Sequence, residues 1–275
     1  MSYTTLVNLG GIKKPTDIPI FLFNMFNDRF ILNIPQPLRF FLAFAITTLR
    51  AKETYKILKQ TPSTLEETTK KQTEKLKNIY KKNVNYVFSY TKPKLKKAEI
   101  SLPMFCFFSK TTHGKILSLS KKTLPPFFIY LEFVDMLLIR LKRFEKLKNC
   151  AVLFSAHSIP LKYSKTDSYD KDLDRFRLLL NNLLKLPVFL SFQSKLGPVK
   201  WLEPSTSSAI KQLSKFYSCL IIVPISFCSD NTETINEIDI IYKKEAFESG
   251  FKIFHRIPCF NDDADFIKLM SKIIP

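Results

Sequence analysis

Ala151-Val152-Leu153-Phe154-Ser155-Ala156-His157-Ser158-Ile159-Pro160 is the stretch on which the reading of this chain turns. Positions 151–154 are uniformly apolar, as in a parallel strand buried on both faces. A polar turn follows, and Pro160 stops it. His157 therefore stands where the carboxyl end of a strand meets a loop, which is where open α/β sheets bind ligands. Taken alone, such a histidine is more often a core residue bonded to backbone, so the rest of the chain has to decide.

Strand-like and helical patterns alternate on both sides of this stretch. A β-branched strand over 4–9 leads into Gly10-Gly11, which suits a tight turn and close ligand approach. Thr16 can cap a helix running to Phe26. The apolar run over 40–46 reads as a core helix, with a place on a membrane surface or at a pocket mouth as the alternatives. A polar helix covers 63–83, and strands are expected over 84–90 and 102–108. Residues 109–114 read as a hydroxyl-rich turn able to donate to an anion or to cap a helix.

An apolar helix is expected over 127–147, just before the central strand. After it come a helix carrying Leu173, Phe176, Leu180, Leu183 and Leu184 on one face, a strand over 188–192, and a helix capped by Ser205 or Thr206. A buried strand over 219–225 precedes a helix that opens at 229–233 and stops at Gly250. A strand over 251–257 and a helix over 262–274 close the chain. This alternation predicts an α/β fold with parallel sheets. Each half supplies several strands, so two similar sheet domains facing one another across a cleft are expected, bridged by the helix over 127–147.

The 275 residues are 45% hydrophobic and carry 43 Lys+Arg against 24 Asp+Glu, a formal net charge of +19. A chain of this length buries roughly 75% of its unfolded surface, enough for one large domain or two small ones. The charge favours an anionic partner: nucleic acid, a membrane surface or an acidic small molecule. No nucleic-acid motif is present, so nucleic acid is not expected. Cys106, Cys150, Cys219, Cys228 and Cys259 show neither CxxC nor zinc-finger spacing, and read as free thiols in a reducing cytosol. The first residues lack a signal peptide's pattern, and no uncharged apolar run approaches the roughly 18 residues of a membrane span. A cytoplasmic protein is expected, with peripheral membrane contact through 40–46 left open.

Chemistry concentrates on His157, Glu233 and Glu237. The two glutamates are four apart and share a helix face, and Asp230 falls on about the same side. A solvated first helical turn is the plain alternative. A neutral imidazole opposite carboxylates could instead bind a divalent metal or relay protons. The chain uses Gly only 5 times, His 3 times and Trp once. Gly10, Gly11, Gly114 and Gly197 all fall in the turns between elements, and Trp201 follows one of them.

Three segments resemble signature segments of ferrochelatases: SAHSIP at 155–160, QSKLGPVKWLEPST at 193–206 and SDNTETINEIDIIY at 229–242. LVNLGG at 6–11, KTDSY at 165–169 and FFSKTTHGK at 107–115 extend the likeness along the chain, from about residue 4 to 275. The resemblance implies two similar Rossmann-like, chelatase-type domains. One covers 1–115 and is completed by a C-terminal helix over 260–275; the other covers 116–259 and carries the metal site. It implies a porphyrin in the cleft and insertion of ferrous iron into protoporphyrin IX, giving protohaem in the last step of haem biosynthesis.

Carried over residue by residue, His157 corresponds to a metal-site histidine that accepts a proton. Glu233 corresponds to its paired glutamate and Glu237 to a second carboxylate beside them. Ser194 corresponds to a residue that bonds a propionate, and Arg50 to a basic residue that binds one. Tyr55, Tyr90, Trp201 and Phe227 correspond to pocket walls. Iron is a substrate here, no prosthetic group is required, and no Cys-rich tail is present to hold an iron–sulfur cluster.

The chain also departs from the pattern. Asn231 stands in place of a histidine, Ser89 in place of an arginine before Tyr90, Gln60-Thr61-Pro62 in place of a glycine-rich turn, and Cys106-Phe107 in place of a Pro-Gln pair. A related chelatase using coproporphyrin or another tetrapyrrole, and a porphyrin binder that has lost catalysis, therefore remain alternatives. A basic adaptor for an anionic surface is the rival from another class. Oligomeric state is not legible.

Overall fold

The computed structural model describes residues 3–195, 197 and 199–275. They form two compact units: Met1–Met104 with Lys110–Pro125 and Met270–Pro275, and Phe105–Ser109 with Pro126–Leu269. These divisions differ from the expected ones at 115 and 259. Residues 105–109 belong with the second unit because their bonds lie there: Phe105 bridges Phe227, and Ser109 Oγ donates to Asp167 Oδ2 at 3.0 Å.

The first unit contains β1 (Thr4–Asn8), α1 (Ile18–Phe26), α2 (Leu38–Gln60), α3 (Leu65–Asn78), β2 (Val84–Phe88), β3 (Ala98–Pro103), α4 (Lys110–Leu119) and β4 (Ser120–Thr123). Its strands are all parallel, in the order β2-β1-β3-β4. Every residue of β1 is buried, as a central parallel strand requires. Gly10 follows at φ +99°, and a β-carbon there would collide with Thr91 Oγ1, so only glycine fits.

The second unit contains α5 (Leu131–Lys142), β5 (Cys150–His157), α6 (Tyr169–Leu183), β6 (Val188–Gln193), α7 (Thr206–Leu213), β7 (Cys219–Val223), a π-helix (Thr234–Tyr242) running into α8 (Lys243–Glu248), and β8 (Ile253–Arg256). The chain closes with α9 (Ala264–Ile273). Its four strands are parallel in the order β6-β5-β7-β8, the same winding as the first sheet. Two similar doubly wound α/β domains are thus present.

Leu153, Leu220 and Ile222 on one face of the second sheet pack with Ile210 and Leu213 of α7, Ile238 and Tyr242 of the π-helix, and Phe251. Phe154 lies near Phe176 of α6, which also meets Phe107 and Phe133.

Several sequence expectations are corrected. The strand expected over 102–108 ends at Pro103, and residues 110–114 are the first turn of α4, not an open turn. Gly114 is needed there because Phe30 packs where its β-carbon would sit. The helix over 127–147 is only Leu131–Lys142, flanked by a 3-10 turn at Phe127–Ile129, and lies within the second unit. The run over 40–46 is not core: Phe40, Phe41 and Phe44 are 47%, 65% and 63% exposed, and only Ala43 is buried. Cys150 and Cys219 are not free thiols. They are register partners at the start of β5 and β7 and form a disulfide that sequence spacing could not reveal.

Candidate active site

β5 lies between β6 and β7, so the chain leaves β5 towards one neighbour and later returns to the other. Loops diverge at such a point and leave a crevice beyond the strand ends. His157 is the last residue of β5, Ser194 follows the last residue of β6, and Glu233 stands on the connection that follows β7. The sheet's winding therefore brings three sequence-distant side chains to one edge.

Both backbone polar groups of His157 are held. Its N–H donates to Ser226 Oγ at 3.0 Å, and its carbonyl accepts from the Tyr169 hydroxyl at 2.9 Å. The imidazole is left to face the site: Nδ1 lies 3.0 Å from Glu233 Oε2, and the Phe227 ring stands edge-on with centroids 6.2 Å apart. The His157 and Glu233 side chains are 37% and 36% exposed, so the pair is reachable from solvent.

Glu233 owes its position to Asn231. The Asn231 side-chain oxygen accepts from the backbone N–H of Glu233 at 2.8 Å and of Thr234 at 3.2 Å, while Thr234 Oγ1 accepts from the Asn231 N–H at 2.9 Å. This is a helix cap. Its amide oxygen is engaged with backbone, and it acts here by fixing the turn that places Glu233 just before the π-helix. Asp230, read from the sequence as lying beside the glutamates, points elsewhere. It pairs with Arg256 at 2.5 Å and accepts from Asn261 Nδ2 at 2.8 Å. Burial would raise its carboxyl, but the Asn261 amide and the Arg256 guanidinium hold it below the ordinary carboxylate range.

Ser194 joins the two glutamates. Its hydroxyl lies 3.1 Å from Glu233 Oε2 and 2.8 and 2.9 Å from the oxygens of Glu237, sharing one proton among them. Ser194 adopts φ 64°, a left-handed conformation costly for a residue with a β-carbon and typical of strained functional positions. Tyr242 donates to Glu237 from the other side at 3.3 Å.

The electrostatics follow from this crowding. Burial and the neighbouring charge of Glu233 push Glu237 up to about 7, against the pull of Ser194, His157 and Tyr242. For His157, burial opposes the charged form, but the charge and hydrogen bond of Glu233 and the charge of Glu237 raise it above the ordinary histidine value. Glu237 is thus poised to exchange protons near neutral pH, while His157 holds a proton more firmly than an ordinary histidine. Among the described residues, no group of three or more His, Cys, Asp and Glu side chains is arranged as a metal cage. The expected set of His157, Glu233 and Glu237 is assembled as a hydrogen-bonded cluster.

The remaining expected residues are placed as follows. Trp201 is partly buried and pairs with Pro160 through an isolated β-bridge. Arg50 and Tyr55 lie on α2 of the first unit. Tyr90, also in the first unit and expected on a pocket wall, is only 2% exposed, and its hydroxyl donates to Asp28 Oδ2 at 3.1 Å. Lys115 lies 3.4 Å from that carboxylate and 4.5 Å from the Tyr90 ring, and it donates to Ser89 O at 2.9 Å. Sequence reasoning missed Asn231 as a cap, and it assigned no role to Ser226, Tyr169 or Tyr242. Tyr242 ends the 229–242 signature segment, and that position was the available signal.

Comparison with known proteins agrees with this architecture. A family model described as ferrochelatase matches residues 5–275. A ferrochelatase of Rickettsia felis is 33% identical over 98% of this chain and 88% of its own length. A ferrochelatase of Campylobacter concisus is 34% identical over 97% of this chain and 96% of its own. Among solved structures, CbiX, described as the terminal enzyme of sirohaem biosynthesis in denitrifying bacteria, aligns over 98% of this chain and 97% of its own. Its TM-score is 0.54 at 12% identity. SirB from Bacillus subtilis, solved with Fe3+, gives 0.53 at 11% identity over 100% of this chain and 94% of its own, and both are likenesses of fold alone. On the match over nearly its whole length and relatives above 30% identity, the chain belongs to the ferrochelatase family.

Proposed function

We propose that this protein inserts ferrous iron into protoporphyrin IX to give protohaem, with His157 and Glu233 at the metal and Glu237 beside them. The observation that carries the reading is the 3.0 Å contact between His157 and Glu233, joined to Glu237 through Ser194. Insertion is redox-neutral. The free-base porphyrin and Fe2+ give the iron porphyrin and two protons, which must be taken from the pyrrole nitrogens as the metal enters. His157 in its neutral form accepts one. Glu237, raised to about 7, is partly ionised near neutrality and can take another from the cluster. Imidazole nitrogen and carboxylate oxygen are suitable donors for Fe2+ in transit.

Arg50, Tyr55, Tyr90, Trp201 and Phe227 remain our candidates for holding the porphyrin. The reaction needs no prosthetic group, since iron is a substrate. Among the described residues, no helix is long and apolar enough to cross a membrane. The exposed Phe40, Phe41 and Phe44 on α2, close to Arg39, support peripheral contact with a membrane surface.

The test is an anaerobic assay of protoporphyrin with Fe(II), followed by visible spectra for the wild type and for His157→Ala. Conversion by the wild type alone supports the activity and its central residue. Binding of porphyrin without conversion would replace the reading with that of a porphyrin carrier. Coproporphyrin assayed side by side decides the substrate.

A further inference from the structure

Glu237 is held by two hydroxyls, one on a ring fixed in the apolar core and one that follows a buried polar network. On one side stands Ser194. On the other stands Tyr242, 8% exposed, whose ring packs in the apolar cluster with Leu153, Ile210, Ile238 and Ala246. That packing fixes the ring and therefore the direction of its hydroxyl, which donates to Glu237 at 3.3 Å. Thr206, the fully buried first residue of α7, contacts Ser155 Oγ at 2.9 Å and Ser191 Oγ at 3.1 Å. Ser155 donates to Gln193 at 2.7 Å, and Gln193 immediately precedes Ser194.

Ser155, Ser191 and Thr206 are 0% exposed and Gln193 is 1% exposed, in the middle of an otherwise apolar sheet. Buried polar groups cost stability unless paired, and a paired network fixes geometry in return. Gln193 leads from this network to its neighbour Ser194, and Ser194 and Tyr242 both close on Glu237.

We propose that Tyr242 is a positioning residue for Glu237, its ring fixed by the apolar cluster, and that it sets the orientation of the second carboxylate of the site. This inference rests on the proposed metal-insertion reading and deepens it. The hydroxyl alone carries the role, because the ring belongs to the core and Tyr242→Phe keeps that packing.

The test is a double-mutant cycle with Tyr242→Phe, Glu237→Gln and the pair, each checked by thermal unfolding. Two quantities are measured: iron insertion into protoporphyrin, and affinity for Zn(II) alone by calorimetry. Tyr242→Phe is expected to lower kcat about tenfold, the usual loss when a supporting hydrogen bond is removed, with porphyrin KM unchanged. It is expected to weaken Zn(II) binding as well. In the Glu237→Gln background, the same substitution should change neither quantity, because its effect runs through Glu237. Equal losses in both backgrounds would reduce Tyr242 to a general structural residue and overturn the proposal, as would no loss in the single variant. If the wild type inserts no iron, the metal-insertion reading fails, and the Zn(II) cycle still decides the role of Tyr242.

Discussion

Nδ1 of His157 lies 3.0 Å from Oε2 of Glu233, although 76 positions separate them in the chain. Their meeting follows from β5 and β7 being direct neighbours in the sheet, so that what leaves the end of one faces what leaves the end of the other. His157→Ala removes the nitrogen that faces Glu233. Insertion should fall by about 10²–10⁴-fold, the range for a general acid or base. Steady-state kcat beside an unchanged melting temperature checks this, and a variant within twofold of wild type would remove His157 from the mechanism.

The cluster should make stability fall as pH rises. Glu237 has a folded pKa of about 7 against 4.5 for the free group, so between those values the folded state keeps a proton that the unfolded state has lost. His157 is also raised, so its contribution is present below the unfolded value of 6.5 and disappears as pH climbs through its folded value. Both trends run the same way. Melting temperatures at pH 5 and pH 8 should differ more in wild type than in Glu237→Gln, and an equal difference would contradict the raised carboxyl.

Asp230 behaves in the opposite sense. Its folded pKa is depressed, so its stabilising contribution is present above the unfolded value of 3.8 and is lost as pH falls through the folded one. Its partner Arg256 is 17% exposed and also holds Asp239 at 2.7 Å. Arg256→Ala leaves two carboxylates without their cation and should cost about 3 kcal/mol. Denaturant unfolding at neutral pH measures it, and a loss under 1 kcal/mol would show that solvent or Asn261 replaces the guanidinium.

The Cys150–Cys219 bridge closes 69 positions of chain. Restricting the unfolded chain by that much is worth about 4 kcal/mol at most. Mass spectrometry of the alkylated, unreduced protein should find both sulfurs protected. Melting in dithiothreitol should occur at a lower temperature than without it. Labelling of both thiols in the native protein would show that the bond is not formed.

Ser194→Ala should loosen the link between the two carboxylates without disturbing the sheet. The Ser194 hydroxyl lowers the Glu237 pKa, so the acidic limb of the activity profile should move to higher pH in the variant. A profile that keeps its position would mean that the hydroxyl is not bonded to ionised Glu237.

Much of the architecture was legible because it depends on local pattern. The wholly apolar start of β5, the Ser205 cap that accepts from Ser208 N–H at 3.2 Å, and the stop at Gly250 at φ 108° are short-range consequences of side-chain type. Residue type and spacing pointed to His157, Glu233 and Glu237, while Ser194 was named only by resemblance to a signature segment. Errors arose where a residue's role depends on what packs against it. Phe40 and Phe41 are as apolar as any core residue, yet they are exposed.

The chain alone thus determined the alternation of strands and helices, and with it two parallel sheets, because hydrophobic period and turn chemistry act over a few residues. It also determined which side chains could carry proton and metal chemistry. Only the tertiary structure decided their company. Strand order put His157 beside Glu233, register joined Cys150 to Cys219, and a cap turned Asn231 to backbone while Asp230 went to Arg256. Those choices are made by non-local neighbours competing for the same hydrogen bonds and charges, and no spacing along the chain records who wins.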